Sequence, residues 1–458
     1  MAGIGMRGSE GLALTGVAGI ALVGNALARF TDFRSDFTDT FYKGPGGIPW
    51  GDVLLPYVAS LATGCSDYEA LRPWHGKPWV AKALRVSRVA SPETLRQNLD
   101  NLADGWFQDS LDLVGKATLD LLRRSKAPVT ACSLGRVCMD VDTTPHDNGR
   151  TRKEGVSRTY MRDVFGFAPI YAMLGSEGWC VHAEFRKGSQ HGQNGAPDFL
   201  RQAIANARQV TSQPILLRMD SAFDAGENYL LAQSENIDIL VKGNPTHLHW
   251  NWEPDARALG KKAWIRSGKN TRVAYLERFE VRSFENVPVI VRRILKVTKR
   301  LRWELGDVPP GKRLLIKKDF VFEAESWLTN LDLDAASLVD CYADHATAEQ
   351  FHSEIKGELD LERLPSNSFK TNALVLHLGM LAYNVLRLLG IMGKGVVRHR
   401  HPVKRHRMKT LIQELIRIPA RILHGSNQLK LDLGRELHGR EAYLALYRML
   451  ASPLPEAA

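Results

Sequence analysis

The stretch LGRVCMDVDTT, Leu134–Thr144, is where the pattern of the chain changes. Val137, Met139 and Val141 alternate with Cys138, Asp140 and Asp142, the period of two expected of a strand with one apolar face. Upstream, from about Asp52 to Leu122, apolar residues recur at helical spacing. There Ser91-Pro92-Glu93 supplies a helix start, with a capping serine and a proline in the first turn. Downstream, FGFAPIYAML and GWCVHAEFRKG predict two strands joined by a glycine-containing turn. APDFLRQAIANARQ then predicts a helix, PILLRMD a strand, DAGENYLLAQSE a helix and IDILVKG a strand. Strands interleaved with helices in this order predict an α/β fold.

Between His247 and about Asn330 the chain turns β-rich and basic, in AWIRSG, TRVAYLERFEV, PVIVRRILKVTKR and KRLLIKKDFVFEAESWLTN, which reads as an insertion. YADHATAEQFHSEIK, Tyr342–Lys356, returns to helical spacing. Tyr342, His345, Glu349 and Lys356 fall at whole turns and form one polar stripe. Ala348, Phe351, Ile355 and Leu359 form a separate apolar stripe that seats the helix on a core. TNALVLHLGMLAYNVLRLLGIMG predicts an apolar helix packed against the sheet. Gly11–Leu27 is apolar too, but it is rich in Gly and Ala and shorter than the roughly 20 strongly apolar residues of a spanning helix. Glu10 precedes it and its cationic start is thin, unlike a signal peptide. A buried helix or hairpin is expected there, and no membrane partner.

The 458 residues suffice for two or three domains, and 44% hydrophobic with 24% charged residues is an ordinary globular balance. A net charge of +11 favours polyanionic partners. Lys394–Arg440 holds twelve Lys or Arg against three acids, a net of +9, with RHRHPVKRHRMK its densest part. That concentration points to a phosphate-contacting surface around Lys404, Arg405 and Arg407. Cys65, Cys132, Cys138, Cys180 and Cys341 are scattered with no C-x-x-C pair. The scatter argues against a zinc ribbon and a disulfide framework, and fits a reducing cytosol.

Three carboxylates stand out by position. Asp142 ends the first strand, Asp220 ends PILLRMD, and Glu349 lies on the later helix. Acids so placed converge at one edge of a mixed sheet and suit two divalent cations about 4 Å apart, as used for in-line phosphoryl displacement. Mg²⁺ takes hard oxygen ligands and keeps several waters, so no His or Cys cage is needed. Asp140 shares a strand face with Asp142 and is the alternative first ligand; Asp142 is nearer the strand end and precedes the Thr-Thr pair. Glu354 stands roughly 140° around the helix from Glu349 and cannot share its cations. Asp224 and Glu227 fit the first turn of a helix, where acids are favourable without catalytic meaning. His182 and His191 read as structural or exposed.

Taken together these motifs resemble the DDE-type insertion-sequence transposases, in particular the transposase DDE group 1 family. That group carries a helix signature Tyr-x₂-Arg-x₃-Glu-x₆-Lys, matched by Tyr342, Glu349 and Lys356. DVDTT resembles the first-aspartate motif, LRMDSAFD the second, and ELDLERLPSNSFKTNALVLHLGMLAYNVLRLL the segment after the glutamate. The likeness runs from about Pro49 to Pro419. It departs at the signature arginine, which is His345 here, a point donor whose charge is lost near neutral pH.

The resemblance implies an RNase H-like catalytic core interrupted by a β-rich insertion. Residues 1–130 would be a helical, DNA-end-binding region, 131–246 the first part of the core, and 247–335 the insertion. Residues 336–392 would complete the core and 393–458 form a basic helical tail. It implies Asp142, Asp220 and Glu349 as catalytic Mg²⁺ ligands, with Mn²⁺ substituting. Tyr342, His345, Lys356, Lys404, Arg405 and Arg407 would contact DNA, and Trp264 would stack on an unpaired base unless it is core. The implied activity is cutting double-stranded DNA at terminal inverted repeats and joining the 3′ ends to target DNA. The implied setting is a homodimer on DNA in a bacterial cytoplasm, on the nucleoid. A repurposed DNA-binding protein and a metal-dependent nuclease without strand transfer are the alternatives.

Overall fold

The computed structural model describes residues 12–451 apart from 45, 162, 306–314, 394–404, 426–428, 436 and 438. Its centre is a nine-stranded sheet. Five strands form its core: β1 (Val137–Thr143), β2 (Ile170–Leu174), β3 (Trp179–Glu184), β4 (Ile215–Met219) and β5 (Asp238–Lys242). They lie side by side in the order β3, β2, β1, β4, β5. β1, β4 and β5 are parallel, and β2 is antiparallel to both β1 and β3.

The alternation in β1 sorts the two faces. Val137, Met139 and Val141 enter the main core, while Cys138 joins a smaller cluster with Leu216, Leu240, Leu338 and Cys341. On the main-core face pack α1 (Ile20–Phe30), α2 (Trp50–Leu61), α3 (Pro92–Gly105), α4 (Phe107–Arg124) and α5 (Ala196–Val210). Ser91 caps α3 as expected, its Oγ accepting from the Thr94 N–H at 3.2 Å. α6 (Gly226–Ser234) precedes β5.

The expected apolar helix spans Phe369–Gly393 and is largely buried among the other helices and the sheet. Asn384 crosses from it to β3, accepting from the Cys180 N–H at 3.0 Å and donating to the Cys180 carbonyl at 2.8 Å. The apolar stretch near the N-terminus contains α1, which is buried as expected.

The β-rich segment joins the central sheet. It builds β6 (Ile265–Arg266), β7 (Thr271–Phe284), β8 (Val287–Leu305) and β9 (Leu315–Thr329), and these form no sheet of their own. β9 pairs antiparallel with β5 through Trp327–Lys242, Leu328–Val241 and Thr329–Leu240, so the central sheet simply continues. The β7–β8 turn is Glu285-Asn286, both with positive φ, the geometry of a tight two-residue hairpin. Trp264 is half-buried against Phe322 with Lys299 over its ring, so it serves the packing of this arm.

Tyr342–Lys356 is not one regular helix. α7 (Ala335–Ala343) ends in a tighter turn over Asp344–Ala346, and α8 (Thr347–Ser353) runs into a wider π-turn over Glu354–Glu358. Ala348, Phe351, Ile355 and Leu359 are nonetheless all buried, as their stripe predicted.

Candidate active site

β1 and β4 are parallel neighbours, with Val141 beside Met219. Asp142 and Asp220 follow these two residues and therefore meet at the carboxyl edge of the sheet, where open α/β sheets bind ligands. Neither is paired with a Lys or Arg among the described residues. Asp142 accepts from the Thr143 N–H at 2.7 Å, and Asp220 caps a short turn by accepting from the Ala222 N–H at 3.0 Å. Burial, and then the Asp220 carboxylate, push Asp142 up to about 7. Burial also raises Asp220, against the Ala222 N–H and the charges of His345, His191 and Lys242.

Asp140, the rival ligand, has a different environment. It is 3% exposed and accepts from Arg218 Nε and Nη2 at 2.7 and 2.8 Å, and His345 Nδ1 lies 2.7 Å away. Burial would raise it, but Arg218 and His345 outweigh burial and hold it below the usual range. Its oxygens are fully engaged, which leaves Asp142 as the available acid of the pair. Asp224 is likewise spent on structure: it accepts from Tyr229 at 2.9 Å, the Asn244 N–H at 2.8 Å, and Arg282 of β7. Glu354 is buried between Arg387 and Arg405, each at 2.6 Å.

The polar stripe reaches this edge in part. Tyr342 donates to the Met219 carbonyl, just before Asp220, at 3.2 Å. Lys356 donates to the Pro145 carbonyl, just after the end of β1, at 3.2 Å. Between them Glu349 is exposed and has no partner among the described residues. One turn on, His352 Nδ1 lies 3.8 Å from Asp142. Burial holds His352 down at about 3, so that contact involves a neutral ring. The structure thus joins the two aspartates and sets Glu349 on the helix beside them. The oxygens of all three do not lie within 4.8 Å of one another.

Several expected DNA contacts are placed otherwise. His345 is 8% exposed and turned inward to Asp140, so it offers no phosphate contact in this arrangement. Arg405 is held by Glu354 and stacks over Phe351. Arg407 bonds Glu358 at 2.6 Å. These two basic residues complete the fold around α8 instead of standing free; Lys404 lies outside the described residues.

Sequence reasoning passed over Arg218, His352 and Tyr160. Tyr160 donates to the Thr143 carbonyl at 3.1 Å, and its phenol is raised by burial and by Asp142 and Asp220. Its segment carries no periodicity that would have marked it. Arg218 could have been suspected as an arginine inside an apolar strand, since a buried guanidinium needs an acid.

The edge therefore offers hard oxygen donors with free lone pairs and mutual repulsion, which fits a divalent cation better than a proton at neutral pH.

No curated protein matches. A cryo-EM structure of the piggyBac transposase synaptic complex with hairpin DNA aligns over 95% of this chain and 83% of its own, at 11% identity and a TM-score of 0.42. The family model described as "Transposase DDE domain group 1" matches residues 58–452, most of the chain. The chain belongs to the transposase DDE domain group 1 family.

Proposed function

We propose that this transposase serves an insertion sequence, cutting DNA at terminal inverted repeats and joining the freed 3′ ends to target DNA. The observation that carries the reading is the meeting of Asp142 and Asp220 at adjacent parallel strand ends, both raised and neither paired with a Lys or Arg among the described residues. The strand order β3-β2-β1-β4-β5 with β2 reversed supports taking the core as RNase H-like.

In this reading Asp142 and Asp220 would hold divalent cations, Mg²⁺ or Mn²⁺, with Glu349 on the neighbouring helix as the third carboxylate. Bound cations would supply polarisation of the phosphodiester and stabilisation of the leaving 3′ oxygen. Asp140, locked by Arg218 and His345, keeps β1 fixed relative to the Glu349 helix. Tyr342 and Lys356 pin that helix to the ends of β4 and β1, and Tyr160 borders the scissile strand. Water, and then the 3′-OH, attacks phosphorus in line, and the P–O3′ bond breaks. Partner duplexes would be the element's ends and the target. Assembly as a homodimer on DNA, in the bacterial cytoplasm at the nucleoid, completes the proposal.

The test is cleavage of a labelled duplex carrying the element's end, with Mg²⁺ or Mn²⁺, by native protein and Glu349→Gln. Cation-dependent cutting that vanishes in the variant supports the reading. Tight binding with no cutting by the native chain contradicts it and favours a repurposed DNA-binding protein. Cutting without joining would leave a nuclease.

A further inference from the structure

Behind the aspartate edge, the protein gathers three of its five cysteines. The Sγ atoms of Cys132, Cys138 and Cys341 all lie within 4.8 Å of one another, with Cys132 and Cys341 3.6 Å apart. They come from three elements. Cys138 is on β1, Cys341 is near the end of α7, and Cys132 sits in a tight turn before β1. That turn is closed by Cys132 N–H to the Arg136 carbonyl at 2.7 Å and Gly135 N–H to the Cys132 carbonyl at 3.0 Å. Gly135 adopts φ of 71°, a conformation that favours glycine, and the turn folds Cys132 back over the strand.

None of the three is in a disulfide, and Cys138 and Cys341 are buried. Three sulfurs at metal–sulfur distances of about 2.3 Å stand roughly 3.8–4.0 Å from one another, close to the spacing seen here. A cavity of about 720 Å³ opens beside the cluster and is lined by Cys132, Cys138, Asp140 and Arg218 among others. It gives a cation an entry path and room for a water as fourth ligand. The Arg218 guanidinium donates to the Cys341 carbonyl at 2.5 Å and so fixes the end of α7 that carries this ligand.

We infer that Cys132, Cys138 and Cys341 form a thiolate site for a closed-shell thiophilic cation, with zinc as the fitting member. The site is separate from the carboxylate edge and selects different chemistry: soft sulfur ligands here, hard oxygens there. Its position gives it a mechanical role. Cys138 precedes Asp140 and Asp142 on one strand face, and Cys341 adjoins Tyr342, which braces the end of β4. A cation bridging the three would clamp the first aspartate's strand to the helix pair that presents Glu349.

The test uses the full chain, reduced and stripped of metal, titrated with Co²⁺ and then with Zn²⁺. The expected result is a sulfur-to-cobalt charge-transfer band that saturates at one equivalent and is erased by Zn²⁺. The band is lost in Cys132→Ser, whose half-exposed position makes it the variant most compatible with folding, with circular dichroism checking that fold. It persists in the carboxylate variant Asp142→Asn, because oxygen-bound cobalt gives no such band. Absence of the band in the native chain overturns the inference, as does its survival in a folded Cys132→Ser. A thiol count showing Cys132 and Cys341 oxidised to a disulfide in freshly purified protein also overturns it.

Discussion

Asp140 and Asp142 stand two residues apart on one face of one strand, yet they live in different chemical worlds. One step inside the sheet, Asp140 is wrapped by a guanidinium and an imidazole that satisfy its oxygens and hold it ionised. At the edge, Asp142 faces another carboxylate and no permanent cation, and it is pushed up to about 7. The inner acid is finished by the protein. In the proposed reading, the outer one is finished by a cation and a phosphodiester. The same residue type thus meets two environments on one strand, and only the available partners separate the two.

The largest effect should come from breaking the inner layer. Arg218→Met leaves Asp140 buried and without its main partner, and should cost about 3–5 kcal/mol in denaturant unfolding. Glu354→Gln should weaken the clamp on Arg387 and Arg405 and lower stability by a comparable or smaller amount. If either variant unfolds like the native chain, the inner layer is not the rigid element described.

A pH series sharpens the contrast. A carboxyl raised from 3.8 to about 7 contributes stability that is complete below 3.8 and lost as pH rises through 7. Metal-free protein should therefore lose stability from this group as pH goes from about 4 to about 7, and Asp142→Asn should flatten that slope. Asp140, held low, works the other way: its contribution is present above 3.8 and lost as pH falls through its lowered value. His345 is raised by its bond to Asp140 despite burial, so its contribution is present below 6.5 and lost as pH rises through its folded value. His345 and Asp142 thus slope in the same direction, and comparing His345→Asn with Asp142→Asn apportions the two.

The smallest effect belongs to the braces. Tyr342→Phe removes one hydrogen bond to the Met219 carbonyl and should cost about 1 kcal/mol, with cutting reduced but present. Complete loss of cutting in a fully folded Tyr342→Phe would assign the phenol a direct part in the reaction.

What the sequence made legible follows the range of its signals. Strand alternation at Val137–Asp142 and the acid closing PILLRMD are local patterns, and both aspartates fall where those patterns predicted. The apolar stripe through Phe351 is local too, and it held even though the helix tightens before Thr347 and widens after Ser353. The inward turn of His345 was not legible, because Asp140 and Arg218 lie 205 and 127 positions away in sequence and the signature position suggested a phosphate contact. Charge counting likewise pointed Arg405 and Arg407 outward. A buried Glu354 and a nearby Glu358, both on the π-turn, draw them in. The cysteine scatter argued against a zinc ribbon and a disulfide framework and gave no sign that Cys132, Cys138 and Cys341 meet; the turn at Gly135 brings Cys132 over Cys138. Long-range pairs of this kind leave no periodic trace.

The most direct measurement is the thermal midpoint of native, Asp142→Asn and Asp140→Asn proteins at pH 8, each with and without Mn²⁺. The account predicts that Mn²⁺ stabilises the native chain and not Asp142→Asn. It predicts that without cation Asp142→Asn is at least as stable as the native chain, while Asp140→Asn is markedly less stable. An unresponsive native chain, or an Asp142→Asn that falls as far as Asp140→Asn, would contradict the division of labour between the two acids.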